Sequence, residues 1–346
     1  MSSPVKIVVV APTWLGDSVM SLPLVGYLAA SESVRVTVVS RSSVSRVYIG
    51  IDGLSDVVAL GENGRLARIW TERRLVGALG ADGAVILPPS FSSSLGIFLA
   101  GVGVRVGVDA DGRRLLLTEA LSPRGLREEH LSENYLKLGR LLLKRLGLRR
   151  DHTFTVPRVK VFACDRESLA LKFDAARGAG DYVVVVPGAT YGPTKSWPTD
   201  KYRELVRRLS SDVRVVLGGS AGERGLCAAV GGRASGVVNL AGETTLGEFI
   251  ALLAGARAVI ANDSGAPHVA ASLGVPVVVI FGSTSPRWTA PLGEDVGVVR
   301  EPVHCAPCFL QKCPTHLECY AGISVDRVLD IARLALKKGI DKKESC

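Results

Sequence analysis

Residues 6–12 read KIVVVAP, an unbroken apolar run closed by proline. That is the pattern of a strand buried on both faces of a parallel sheet. Working outward, RVTVVS at 35–40 reads as a second strand, 56–60 as a short third and 84–87 as a fourth. Helical patterns separate them at 17–30 (interrupted by Pro23), 66–79, 92–100 and 131–146. Alternation of this kind implies an α/β architecture, a mostly parallel sheet with helices on both faces. Residues 182–187, YVVVVP, repeat the opening pattern and begin a second series. It continues with helix 201–209, strand 214–217, helices 223–230 and 246–253, strand 258–261, helix 268–273 and strand 277–281. Between the two series, residues 148–180 lose periodicity in RRDHTF and ARGAGD. The expected division is a first domain over 1–165, a linker over 166–180, a second domain over 181–322 and a final helix within 323–346. That helix is expected to stop at Lys337-Lys338-Gly339, a good C-terminal signal. Two similar α/β halves make the cleft between them the default ligand site.

The net charge of +9 calls for an anionic partner: nucleic acid, a membrane surface or a phosphorylated substrate. No run reaches the ~18 apolar residues of a membrane span. Met1 to Pro4 leads directly into a strand, so no signal peptide and a cytoplasmic location are expected. Neither the G-x-G-x-x-G nor the P-loop fingerprint opens a helix after a strand, which disfavours dinucleotide dehydrogenases and P-loop NTPases. H-E-x-x-H is absent too, against the common zinc proteases. Gly218-Gly219-Ser220-Ala221-Gly222 fits G-x-S-x-G. A sharp βα turn produces that pattern more readily than a nucleophilic Ser220 does.

Three segments carry candidate chemistry. In Asn262-Asp263-Ser264-Gly265-Ala266-Pro267-His268, Asp263 or Ser264 can cap the following helix, and Gly265 allows close backbone approach. Exposed N–H groups there would suit a diphosphate, plain capping being the bland alternative. His268 either reaches the same phosphate or sits satisfied in packing. The loop PGATYGPTKSWP at 187–198 is glycine-rich, follows a buried strand and carries one lysine. Lys195 there is either a surface lysine or the point charge that stabilises a departing diphosphate. In Pro12-Thr13-Trp14-Leu15-Gly16-Asp17-Ser18, Asp17 either caps a helix or acts as general base for an alcohol nucleophile.

At these residues the sequence resembles the ADP-heptose:lipopolysaccharide heptosyltransferases of glycosyltransferase family 9, and the heptosyltransferase II branch most. The resemblance runs from KIVVVAPTWLGDSVMSLPL through PPSFSSSL and PGATYGPTKSWP to ANDSGAPHVAASLGVPVVVIFGSTSP. It implies the GT-B fold, two Rossmann-like domains, with the last helix packing back on the first. The first domain would take a lipid-linked inner-core acceptor and the second the nucleotide sugar, ADP-heptose. Transfer would be inverting and need no cofactor. Asp17 would deprotonate the acceptor hydroxyl, and Lys195 would neutralise the diphosphate. Asp263, Ser264, Gly265 and His268 would hold the diphosphate and sugar, and Glu223 would touch ribose. Gly188, Thr190 and Tyr191 would complete the donor loop.

Helix 131–146 and its flanks carry Arg124, Arg127, Lys137, Arg140, Lys144, Arg145, Arg149 and Arg150. This face either meets anionic lipid at the inner face of the cytoplasmic membrane or is simply solvated. Cys305, Cys308, Cys313 and Cys319 stand in C-x2-C-x4-C-x5-C spacing. Structural zinc, with His304 or His316 as alternative ligands, disulfides and free thiols all remain open. A basic, zinc-stabilised nucleic-acid-binding protein is the rival of another class. It leaves Asp17, Lys195 and the Asp-Ser-Gly turn without purpose and lacks an aromatic stacking platform. No specific nucleic-acid partner is expected.

Overall fold

A computed structural model describes residues 3–62, 64–148, 156–174 and 182–344. They divide into two compact units, Met1–Lys160 and Val161–Cys346. The first holds strands β1 (Val5–Val10), β2 (Val34–Arg41), β3 (Leu54–Leu60), β4 (Gly83–Ile86), β5 (Val104–Val108) and β6 (Glu119–Leu121). The second holds β7 (Tyr182–Val186), β8 (Arg214–Leu217), β9 (Val237–Asn239), β10 (Ala258–Asn262), β11 (Val277–Phe281) and β12 (Val296–Arg300). Every strand pair is parallel. The orders are β3-β2-β1-β4-β5-β6 and β12-β11-β10-β7-β8-β9. Counted within its own unit, each is the doubly wound order 3-2-1-4-5-6, so the chain builds the same Rossmann-like sheet twice. Together they are the pair of units that the GT-B resemblance implies.

The apolar runs do what their composition dictates. Val8, Val10, Ala84 and Ile86 join one core of the first unit, and Val183, Val185, Ile260, Val278 and Ile280 one of the second. Strands flanked on both sides by parallel neighbours are covered on both faces, hence Val-rich rather than alternating. In such a sheet, ligands gather beyond the carboxyl ends of the strands where the order reverses. Here that means the chain just after β1 and β4, and just after β7 and β10.

Two expectations need correction. Residues 166–172 are no linker and 163–165 are no part of the first domain: Ala163–Lys172 is a helix of the second unit. Ser168 and Lys172 bond Glu248 on the helix Leu246–Gly255, at 2.5 and 2.8 Å. Part of the expected linker, 175–180, lies outside the described residues. The final helix does not stop at Gly339 but runs Val325–Glu344. A β-carbon at Gly339 would run into the carbonyl of Arg257, so glycine permits close packing there and is no terminator. This helix packs on the helix Thr199–Leu209 and on β10, β11 and β12, as an integral part of the second unit.

In the first unit, the helices Arg65–Leu79 and Phe91–Leu99 pack closely over Gly96, whose missing β-carbon leaves room for the Glu72 carboxyl. Burial pushes that carboxyl up to about 7, with Arg68 at 3.5 Å compensating in part. The folded state thus holds its proton over a range where the unfolded chain has lost it. Stability from this site is full below about pH 4.5 and is lost as pH rises through about 7. Glu72→Gln is expected to raise the melting temperature at pH 8 and leave it unchanged at pH 5. Equal effects at both pH values in a thermal scan would refute this account.

Candidate functional site

In the second unit the two expected donor segments converge at its switch point. Asn262, fully buried at the end of β10, ties them together. Its Oδ1 accepts from Trp197 N (3.0 Å) and from the Tyr202 hydroxyl (2.9 Å), while its Nδ2 donates to Pro187 O (2.6 Å). The loop after β7 is thereby pinned beside the turn after β10. Lys195 Nζ then lies 2.7 Å from Asp263 Oδ2 and 5.3 Å from the centre of the Tyr191 ring. Asp263 is 3% exposed and also accepts from Thr284 Oγ1 at 2.6 Å, with Thr289 Oγ1 at 3.4 Å. A buried carboxylate held by two hydroxyls and an ammonium is fully engaged. Its carboxylate fixes the position of the Lys195 ammonium.

The helix Gly265–Ser272 starts at the same place. Ser264 occupies its N-cap position without a side-chain cap, so neither it nor Asp263 plays the capping role. The N–H groups of Gly265 and Ala266 have no helical carbonyl to meet. Ser264 Oγ is buried with no hydrogen-bond partner among the described residues. His268 is buried in the first turn of this helix. An uncapped helix start beside a fixed ammonium is suited to a diphosphate.

Glu223 comes to the same loop. A β-carbon on Gly188 would overlap the Glu223 carboxylate, so only glycine lets the two segments meet. Glu223 Oε2 accepts from both the backbone N and the hydroxyl of Ser220 at 2.7 Å. Ser220 is therefore the cap of a turn, and the hydrolase pattern has its structural explanation. Gly188→Ala is expected to displace Glu223 and weaken nucleotide binding by about tenfold, which calorimetry would read. Unchanged affinity would separate Gly188 from the site. Thr190 is exposed, and Tyr191 donates its hydroxyl to Phe309 O at 2.8 Å.

That contact reveals what the cysteine segment does. Thr194 Oγ1 donates to Leu310 O at 2.5 Å, so residues 309–310 brace the loop that carries Lys195. The cysteines themselves are free thiols. Burial, then the charges of Cys305, Cys308 and Cys313, push Cys319 up to about 11. Among the described residues, the set of three or more ligand atoms gathered within 4.8 Å is His304, Cys305 and Glu318, all exposed. Of the three states left open for Cys305, Cys308, Cys313 and Cys319, the structure shows unbridged thiols, and the four sulfurs do not all lie within 4.8 Å of one another.

Asp17 stands on the other unit, after β1, at the matching switch point. It lies in the first turn of the helix Leu15–Met20 and is half-buried. Trp14, not Asp17, holds the N-cap position, and Asp17 is the acidic residue of the first turn. Two buried phenols feel its charge: Tyr48, pushed up to about 12 by burial first, and Tyr135, pushed well above the usual range. Both stay neutral at physiological pH.

A family model for glycosyltransferase family 9 (heptosyltransferase) matches residues 69–319. The chain belongs to glycosyltransferase family 9. It is 31% identical over 315 residues to lipopolysaccharide heptosyltransferase 2 of Escherichia coli K12, covering 85% of this chain and 88% of that one. The solved E. coli ADP-heptose lps heptosyltransferase II superposes with a TM-score of 0.79 at 25% identity, over 96% and 99% of the two chains. E. coli heptosyltransferase WaaC, solved with ADP-2-deoxy-2-fluoro heptose, shares the fold with a TM-score of 0.68 at 19% identity, over 95% and 99%. The chain is a glycosyltransferase, and the nucleic-acid reading falls. What sequence reasoning missed are Asn262, Thr284 and Thr289. Asn262 stood inside a quoted motif, and the two threonines carried no local signal.

Proposed function

We propose that this glycosyltransferase moves heptose from ADP-heptose to the inner core of a lipid-linked lipopolysaccharide acceptor, with inversion. The observation that carries the proposal is the second switch point: Lys195, fixed on buried Asp263, beside the uncapped start of the helix Gly265–Ser272. Asp17 takes the acceptor hydroxyl proton as the oxygen bonds the anomeric carbon. The bond from that carbon to the diphosphate breaks, and ADP leaves with its electron pair. Negative charge grows on the diphosphate as this happens. The ammonium and the N–H groups of Gly265 and Ala266 therefore act most strongly in the transition state. Ser264 and His268 complete the diphosphate and sugar contacts, Glu223 takes the ribose, and Asp263 positions Lys195. No cofactor enters this mechanism.

Calorimetric titration with ADP, ADP-heptose, and UDP and GDP sugars, with and without EDTA, tests it. Selective binding of ADP-heptose that EDTA does not alter is the expected result. A preference for another nucleotide sugar would keep the family and discard the heptose donor.

A further inference from the structure

The helix Arg65–Leu79 buries Ile69, Glu72 and Val76 and turns a different stripe outward. Leu66, Trp70, Arg73 and Gly77 follow at helical spacing on that stripe. Leu66 is 74% exposed and Trp70 59%. Trp70, Arg73, Arg74 and Gly77 line a groove of about 540 Å³ together with Leu99 and Ala100. Phe98 and Leu99 extend the apolar surface, each about two-fifths exposed. The Arg73 guanidinium sits over the Trp70 ring at 5.3 Å, and that of Arg105 over Phe98 at 5.1 Å. Among the described residues neither Arg73 nor Arg74 has an acidic partner, and the neighbouring acid, Glu72, faces inward.

Exposed tryptophan and leucine ringed by uncompensated arginines are unusual for a solvated helix. An anionic bilayer surface offers both complements at once. Phosphates meet the guanidinium groups, tryptophan settles at the headgroup level, and the leucines enter the acyl boundary. The basic helix 131–146, for which the sequence leaves lipid contact or plain solvation open, is built differently. In Leu131–Arg145 the exposed side chains are charged, namely Glu133, Arg140, Lys144 and Arg145. Lys137 and Arg145 there pair with Glu129 and Glu119. Among the described residues that helix exposes no large apolar side chain, and Arg149 and Arg150 of its flank lie outside the described residues. Among the described residues no helix is long and apolar enough to cross a membrane, so contact through this helical part is a surface contact.

We propose that the face centred on Trp70, Arg73, Arg74 and Leu99 docks the first unit on an anionic lipid bilayer. The proposal goes beyond the transfer reaction and is measured without donor or acceptor, so its failure leaves that reading untouched. The test is co-sedimentation with vesicles of phosphatidylethanolamine and phosphatidylglycerol, against vesicles of phosphatidylcholine alone. The protein is expected to partition onto the anionic vesicles and to leave them at high salt. Arg73→Glu with Arg74→Glu is expected to weaken partitioning by about tenfold or more, and Trp70→Ser by about threefold. Arg140→Glu with Lys144→Glu should bind as the parent does. All these positions are exposed, and unchanged circular dichroism confirms the fold. Equal binding to both vesicle types, or loss of binding only in the Arg140/Lys144 variant, overturns the proposal. So does a dimer in sedimentation equilibrium that Trp70→Ser dissolves while vesicles capture nothing.

Discussion

Lys195→Ala is expected to lower transfer by about a hundred- to a thousandfold and to weaken ADP binding. Removing one preorganised group that faces growing charge typically costs ~2.7–4 kcal/mol in the transition state. A second consequence separates this from an ordinary surface lysine. Asp263 is buried, and Lys195 is its only cation within bonding distance among the described residues. Truncating one partner of a buried pair strands the other, at a cost of about 3–5 kcal/mol. Lys195→Ala should therefore also melt at a visibly lower temperature. Adding Asp263→Asn removes the stranded charge, so the double variant should regain stability and remain inactive. Asp263→Asn alone leaves the ammonium in place but loosens its aim, and should lose rate more than nucleotide affinity. Full transfer by Lys195→Ala would end the leaving-group role. A double variant no more stable than the single one would refute the buried-pair account.

Much of this was legible beforehand, for a physical reason. A strand covered on both faces needs an unbroken apolar run, so β1, β2, β7, β10 and β11 stand out in the sequence. The strands that escape notice are mostly edge strands, β6, β9 and β12, which are only partly covered, the first two being three residues long. β5, VRVGV, is broken by an arginine and a glycine. The helix Ala163–Lys172 buries a single leucine, Leu169, and therefore has almost no apolar stripe to read. The site divides in the same way. Glycine and proline turns mark where the backbone must approach a ligand, so Gly188, Lys195 and Gly265 fall inside readable motifs. Thr284 and Thr289 act on Asp263 from about twenty residues downstream through tertiary packing, which no local pattern encodes. Asp263 shows the limit most clearly. Its motif suggests a donor contact, but no local pattern reveals that its carboxylate is buried and pairs with Lys195 and two threonine hydroxyls.

Asp17→Asn isolates the other half of the reaction. The substitution is isosteric, sits on a half-buried side chain and leaves the N-cap residue, Trp14, in place. It also removes a charge that two buried phenols feel unfavourably when ionised. Both phenols are neutral at pH 7, so the fold gains or loses little there. On the proposed reading the nucleotide is held by residues of the second unit, so its binding should not change in calorimetry. Transfer should fall by about a hundred- to ten-thousandfold, the usual worth of a positioned base. The pH profile supplies the sharper discrimination. In the parent, activity should fall on the acid side as a carboxylate base protonates. In Asp17→Asn the residual rate should lose that limb, since an amide does not titrate there. A surviving acid limb would assign the base to another carboxylate. Normal transfer by the variant would remove Asp17 from the chemistry and leave the second switch point to act on an acceptor that needs no base.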